Sequence, residues 1–450
     1  MIGNKPVISV CEGQQLHMEV PVEAKSMQQP SFAIQRPVNV VFNGVNGRGA
    51  PDRFCLSERL LSQHMMLIGG IGSGKTNTFN QILQSLIPQL TAKDVMIIFD
   101  TKGDFLKEFY TPGDVVISND SSARGSLRPD YWNILKELAN SGNRLREDVI
   151  EISNALYAEK LKNAGENAFF PQAAKDITTA VLYKYAYQNA NYGMSYDNAT
   201  LAMDLKKADL YWYQEEILKK SSEYRAMMSY IPADAPGQAL GVLAEIQQMV
   251  RSLFVGNFER KGTLSIRQLV REKKGRKIFI EYDIGVGGML TPIYSLLFDL
   301  AIKEALCRDK SDGNVYFVCD EFKLLPNLQH IDDAVNFGRS LGIKFMIGVQ
   351  NVDQIIDIYG EHRAYNIFSG FLNLLAFKVG DYSSRKYIKE RLGENRKCTV
   401  YKSTTIQETI NAANVVEDWD IAGLKLGEAI VSLNTAEPFK FRFNEFKGRA

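Results

Sequence analysis

Residues Gly69-Gly70-Ile71-Gly72-Ser73-Gly74-Lys75-Thr76 spell a glycine, four residues, then Gly-Lys-Thr. That spacing is the phosphate-binding P-loop. Glycines permit positive φ and close backbone approach, so successive N–H groups can converge on one anion. Lys75 is placed to reach β- and γ-phosphates, and the Thr76 hydroxyl to ligate magnesium. The candidate nucleotide-binding set runs from Gly69 through Asn77, with ATP and Mg2+ as the expected ligands.

A second set of groups would turn binding into hydrolysis. The apolar run Val315-Tyr316-Phe317-Val318-Cys319 ends in Asp320-Glu321. Asp320 would join Thr76 in holding magnesium, and Glu321 would orient and deprotonate an attacking water. Gln350 ends another apolar run, and its amide could sense the γ-phosphate if that strand lies near the P-loop strand. Arg339, in Gly338-Arg339-Ser340-Leu341-Gly342, could reach a neighbouring subunit's nucleotide or be a solvated helix-end arginine. The catalytic candidates are therefore Lys75, Glu321, Gln350 and Arg339, with Thr76 and Asp320 for the metal. The basic stretch Arg267, Arg271, Lys273, Lys274, Arg276 and Lys277 is read as a solvated turn rather than a phosphate-backbone contact. Tyr183, Tyr185, Tyr187, Tyr211, Trp212 and Tyr213 are read as helix-packing aromatics, because Tyr185 does not share a helix face with Tyr183 and Tyr187.

These groups need a scaffold that brings strand ends together. His64-Met65-Met66-Leu67-Ile68 is a short apolar strand running into the loop, and Lys75 to Ile87 patterns as a helix stopped by Pro88. The helix N-terminus then lies under the phosphates. Further apolar runs begin at Val95, Lys277, Val315, Ile343 and Leu372, with helical patterns between them. Strands alternating with helices imply an α/β fold with a mainly parallel sheet. Residues 1–60 carry short alternating stretches, at Val7–Val10, His17–Val20 and Val38–Phe42, expected as a small antiparallel lead-in to that sheet. Residues 61–130 form the first part of the nucleotide-binding domain. Residues 131–260 pattern as an inserted all-α domain, and 261–450 return to the nucleotide-binding domain.

Bulk properties exclude several classes. The 450 residues imply roughly two to three domains. A composition of 45% hydrophobic and 23% charged residues is that of a globular protein. Net charge is +1, so DNA contact must come from a local patch or a surface repeated in a ring. Cys11, Cys55, Cys307, Cys319 and Cys398 show no CxxC spacing and read as free thiols in a reducing compartment. No apolar run approaches the roughly 20 residues of a membrane helix, and Met1 to Pro6 does not open a secretory signal.

In order along the chain, His64–Thr76, Asp100-Thr101-Lys102-Gly103-Asp104, Phe169-Phe170-Pro171-Gln172-Ala173-Ala174, Asp320-Glu321-Phe322-Lys323-Leu324-Leu325-Pro326 continuing to Val349-Gln350-Asn351, and Phe377-Lys378-Val379-Gly380-Asp381 form a series. This series resembles the type IV secretion coupling proteins, the TraD-like conjugative DNA-transfer ATPases. The resemblance implies a RecA-like P-loop NTPase carrying an all-α domain, similar to ring hexamers that move DNA through a channel. It implies nucleotide roles for Lys75, Thr76, Asp320, Glu321 and Gln350, and a role in trans for Arg339. The implied partners are DNA, a relaxase or other secretion substrate, and further copies of the chain. Many members carry N-terminal membrane helices. Their absence here implies a soluble, cytoplasmic form recruited to the inner face of the membrane through a partner, or a different system.

Two rival functions share these motifs. One is a double-stranded DNA pump of the HerA/FtsK kind in repair or defence. The other is a nucleotide-gated adaptor that docks substrates without translocating them. The helical insert and the Asp100 block favour the coupling protein over the first, and Glu321 with Gln350 counts against the second.

Overall fold

The computed structural model describes residues 7–27, 29, 37–119, 129–307, 312–402 and 406–448. Met1 to Pro6, read above as no secretory signal, lie outside the described residues. The chain divides into two compact units. The first holds Met1–Met96, Asp309–Lys323 and Asp332–Ala450; the second holds Ile97–Arg308 and Leu324–Ile331.

The strands in chain order open with β1 (Val7–Glu12), β2 (Asn39–Asn46), β3 (Pro51–Ser57), β4 (Met65–Ile68) and β5 (Val95–Asp100). Then come β6 (Val115–Ser118), β7 (Lys277–Glu281), β8 (Val315–Cys319), β9 (Ile343–Val349) and β10 (Asn373–Phe377). The last are β11 (Glu394–Lys402), β12 (Ile406–Asn414), β13 (Glu428–Leu433) and β14 (Ala436–Phe443).

In the first unit the sheet runs β3-β2-β14-β13-β10-β4-β9-β8. Its working half is parallel: β10 with β4, β4 with β9, and β9 with β8. Every residue of β4, β8, β9 and β10 is buried, the continuous apolar pattern of strands covered on both faces. The other half, from β13 through β3, is antiparallel. A cluster of Phe42, Phe54, Phe439, Phe441 and Phe443 rings, mostly edge to face, fills one face there.

The lead-in expected from residues 1–60 is split. Strands β2 and β3 join the main sheet, but β1 pairs with β11 in a separate three-stranded sheet, β1-β11-β12. Around His17 there is only an isolated bridge to Phe439. Alternation marks β1 as a strand but cannot name a partner nearly four hundred positions away.

In the second unit β6 pairs in parallel with β7, and most of the remainder is helical. The helices Leu145–Ala164, Phe169–Asn191, Asn198–Lys207 and Pro236–Leu253 lie between residues 145 and 253. Tyr185 is buried and its hydroxyl meets Asp204 at 2.5 Å, while Tyr213 is fully buried. The Tyr183 and Tyr187 rings stack at 5.9 Å, one turn apart. Tyr185 and Tyr213 are thus packed inside as expected, whereas Tyr187 and Tyr211 are exposed.

The basic stretch does turn before β7 at Lys273–Gly275, with Lys274 exposed, but its ends are not solvated. Arg267 is buried, bonding Asp148 at 3.0 Å and Glu304 at 3.2 Å. Arg271 holds Glu304 at 2.6 Å, and buried Lys277 holds Asp114 at 2.9 Å. The N-cap Ser265 starts the helix Ile266–Glu272 so that Arg267 points inward. The cations are neutralised within the fold, as buried charges must be. No helix of the described residues is long and apolar enough to cross a membrane.

Candidate functional site: a phosphate loop between strand ends

The loop leaves β4 at Ile68 and is held by the ends of both neighbouring strands. Gly69 N–H donates to Val349 O at 3.0 Å, and Gly70 N–H to Lys378 O at 2.9 Å. Gly72 and Gly74 sit at φ +71° and +115°, where a side chain would be strained. A Cβ on Gly69 would lie 2.6 Å from both Phe377 and Ser73. The block beginning at Phe377 thus walls the loop from the β10 side. Ile71, at the apex, is 89% exposed. The helix Lys75–Leu86 starts directly behind the loop.

Lys75 is buried and folds back over the loop, donating to Gly69 O and, at 3.2 Å, to Gly70 O. The Thr76 hydroxyl donates to Asp320 Oδ2 at 2.6 Å. Both offer hard oxygens, Thr76 from the helix N-terminus and Asp320 from the end of β8, and Mg2+ prefers such donors. With the glycine cradle, these residues fit a magnesium–nucleotide ligand.

Sheet order explains the convergence. Strand β9 lies between β4 and β8, so Gln350 follows the strand adjacent to the loop and Asp320 the next one out. Gln350 Nε2 donates to Glu321 Oε2. The other oxygen, Oε1, has Lys323 Nζ at 3.9 Å. Burial lifts the Glu321 carboxyl above its usual range, while Lys323 and Lys75 pull it back. A carboxylate so placed can accept a proton from water more readily than an exposed one.

Arg339 is not at this site. It is exposed in the turn Gly338–Leu341, before β9. The phosphate loop meets the other end of that strand, about 23 Å away at 3.3 Å per residue. Within one chain the two do not meet.

Asn77 stands in the first turn of the helix Lys75–Leu86, and its side chain is engaged by the segment after β14. Its Nδ2 donates to Asn444 O at 3.0 Å, and its Oδ1 accepts from Phe446 N–H at 2.6 Å.

Three supporting residues escaped the sequence reading. A Cβ on Gly348 would stand 2.1 Å from Asp320 O, so this position in β9 keeps the Asp320 turn in place. Gly427, at φ +72°, donates its N–H to Ser73 O at 3.1 Å, and a Cβ on Gly74 would meet Gly427 Cα at 2.9 Å. His64, read above as a strand residue, has φ +56° and is buried. Its Nδ1 accepts from Phe345 N–H at 3.0 Å. Only the positive φ of His64 carried a local hint, since histidine is enriched there.

A glycine cradle, a Thr–Asp pair and a Glu–Gln pair at the ends of adjacent parallel strands define a RecA-like P-loop NTPase fold. The chain belongs to the type IV secretion-system coupling protein family: the model of that family's DNA-binding domain matches residues 53–431. Coupling protein TraD of Escherichia coli (strain K12) is 23% identical over 340 residues, 74% of this chain and 44% of TraD. The coupling protein VirD4 of Bartonella henselae is 21% identical over 360 residues, 74% of this chain and 53% of VirD4. The chain therefore spans about half the length of these relatives. Among solved structures, the bacterial conjugative coupling protein TrwBdeltaN70 superposes with TM-score 0.71 at 19% identity, covering 90% of this chain and 89% of that one. TrwB solved with ADP and Mg2+ gives TM-score 0.65 at 16% identity, covering 90% and 89%.

Proposed function

We propose that this chain is the ATP-hydrolysing motor of a type IV secretion system, coupling hydrolysis to the transfer of DNA or a nucleoprotein. The observation that carries the proposal is the paired contact at adjacent strand ends: Thr76 with Asp320, and Glu321 with Gln350. Binding ATP alone needs the glycine loop and Lys75. A half-buried carboxylate beside an amide is what hydrolysis adds. Family membership supplies the process that the hydrolysis drives, and the ADP–Mg2+ complex of TrwB supports the ligand.

In this reading Lys75 leaves its loop carbonyls for the β- and γ-phosphates. Thr76 and Asp320 hold Mg2+, which would neutralise charge on the transferring phosphoryl group. Glu321 positions water in line and takes its proton, and Gln350 orients Glu321 and reports the γ-phosphate. Arg339, remote from its own loop, acts on the nucleotide of a neighbouring copy in a ring, by resemblance a hexamer. DNA passes through that ring, delivered with a relaxase or similar substrate.

The test is Glu321→Gln. It keeps ATP affinity and loses DNA-stimulated hydrolysis by about a thousandfold. Rates are measured with no DNA, single-stranded DNA and double-stranded DNA, and the mass of the ATP-bound assembly is read alongside. Wild-type turnover in the variant removes Glu321 from its role. A wild-type rate indifferent to both DNA forms removes DNA as the stimulus.

A further inference from the structure

The strand-end carboxylates Asp320 and Glu321 are followed by a brief excursion of the chain. Residues up to Lys323 belong to the first unit, Leu324–Ile331 to the second, and Asp332 returns to the first.

Both ends of the excursion are pinned in the first unit. The Phe322 ring stacks on Tyr359, with centroids 5.8 Å apart. Arg363 grips Asp332 Oδ2 through Nε and Nη2, each at 2.7 Å, and Asn366 Nδ2 donates to Oδ1 at 3.1 Å. In the second unit the anchor is His330. Its backbone N–H donates to Asp299 Oδ1 at 2.9 Å, and its ring Nδ1 meets Oδ2 of the same carboxylate at 2.8 Å. Two bonds to one carboxylate fix direction as well as distance. Ring Nε2 faces Glu151 Oε1 at 3.8 Å, and Lys303 holds the other Glu151 oxygen. Lys303 also holds Asp148 at 2.9 Å, which joins His330 to the buried Arg267 network. Asp299 lies on the helix Gly287–Leu306 and Glu151 on the helix Leu145–Ala164.

The excursion has little slack. Leu325, Leu328 and Ile331 are fully buried. Asn327 turns the chain with a φ of +61°, a conformation that asparagine tolerates. Glu321 is bonded directly to Phe322, so a shift of that strand end enters the excursion at its first anchor. Coupling between distant sites runs through packed and hydrogen-bonded chains of this kind, whereas a slack loop absorbs the shift.

We propose that His330 is a positioning residue that carries the state of the γ-phosphate from Glu321 to the helices Leu145–Ala164 and Gly287–Leu306, with residues 322–332 acting as a taut strap. The proposal rests on the reading of Glu321 and Gln350 above.

The test is amide hydrogen exchange of the whole chain with Mg–ADP and with magnesium plus a non-hydrolysable ATP analogue. In wild type, exchange in the two helices is expected to differ between the nucleotides by about fivefold or more, the lower end of ordinary couplings between sites. His330→Ala is expected to bring that difference within about twofold, while residues 69–76 and 315–323 respond as in wild type. His330→Asn keeps a side-chain donor for Asp299 and is expected to restore the difference. A Gly-Gly insertion between Pro326 and Asn327 slackens the strap with every anchor in place. It is expected to behave as His330→Ala, and it carries the test if the alanine variant does not fold. Wild-type helices that ignore the nucleotide while residues 69–76 respond overturn the proposal. So does an alanine or insertion variant that passes the difference on undiminished, and so does an asparagine variant no better than alanine. A chain in which residues 69–76 respond to neither nucleotide removes the phosphate-loop reading itself.

Discussion

The Thr76 hydroxyl donates to the Asp320 carboxylate across 2.6 Å, although 244 residues of chain separate them. Two segments that share no local pattern meet because β9 spaces β4 from β8 by one strand. The contact makes Thr76 and Asp320 one hydrogen-bonded unit, with distinct expectations for different changes at Thr76. Thr76→Ser keeps the hydroxyl and most of the hydrolysis. Thr76→Val loses it by about a hundredfold or more, and the loss is visible as a failed Mg2+ response. A valine variant with a normal Mg2+ titration would place Thr76 outside the metal shell.

Gln350 donates to one oxygen of Glu321 and leaves the other facing Lys323. Gln350→Ala removes that donor and lets the carboxylate turn toward the lysine. Hydrolysis is expected to fall about ten- to a hundredfold with ATP affinity within about twofold. Steady-state rates with equilibrium binding on the same preparation decide this. A matching loss of affinity would mean that Gln350 contacts ground-state nucleotide instead.

Gly348 sits in β9 with no room for a methyl group. Gly348→Ala places a Cβ 2.1 Å from Asp320 O and 2.8 Å from its carbonyl carbon. The clash is with backbone, so relief must move the Asp320 turn. Overpacking of this kind costs about 1–3 kcal/mol. Denaturant midpoints should fall accordingly, and hydrolysis should fall further than stability alone explains. An active, undiminished variant would show that the strand ends slide freely.

Acid sensitivity has a specific source in His64. Burial, then the Lys344 charge, holds its imidazole down at about 3, from an ordinary value of 6.5. The folded state thus binds fewer protons than the unfolded state between those two values. The contribution is fully present above pH 6.5 and is lost as pH falls toward 3. At pH 5 the loss is about 2 kcal/mol. His64→Asn keeps a residue tolerant of positive φ and removes the titration, so its stability should fall less between pH 7 and pH 5 than that of wild type. Parallel pH profiles for the two proteins would clear His64.

Legibility in the sequence followed the range of the interaction. The β4–loop–helix unit was readable because glycine spacing, an apolar strand and an amphipathic helix are consecutive. Asp320, Glu321 and Gln350 were readable as polar residues closing buried strands, and the structure brings them together at one place. Asn77 was placed in the nucleotide set by its position after the loop, and the bonds of its side chain to Asn444 and Phe446 had no local signal. Arg267 was misread as solvated because its partners, Asp148 and Glu304, lie on helices remote in sequence. Gly348 and Gly427 gave no signal, since a close approach belongs to a pair and only one member is visible locally.

The meeting of Gly74 with Gly427, and of Asn77 with Phe446, also sets an order of events during synthesis. The residues of that second pair are 369 positions apart. At ~5–20 residues per second a ribosome needs roughly 20–70 s to travel from one to the other. Until then the phosphate loop lacks its brace and Asn77 its partner. A growing or interrupted chain that ends before residue 427 carries the whole glycine motif without a finished nucleotide site. Closure of the phosphate loop is thus tied to the last part of the chain to be made, through the Gly427 N–H on Ser73 O.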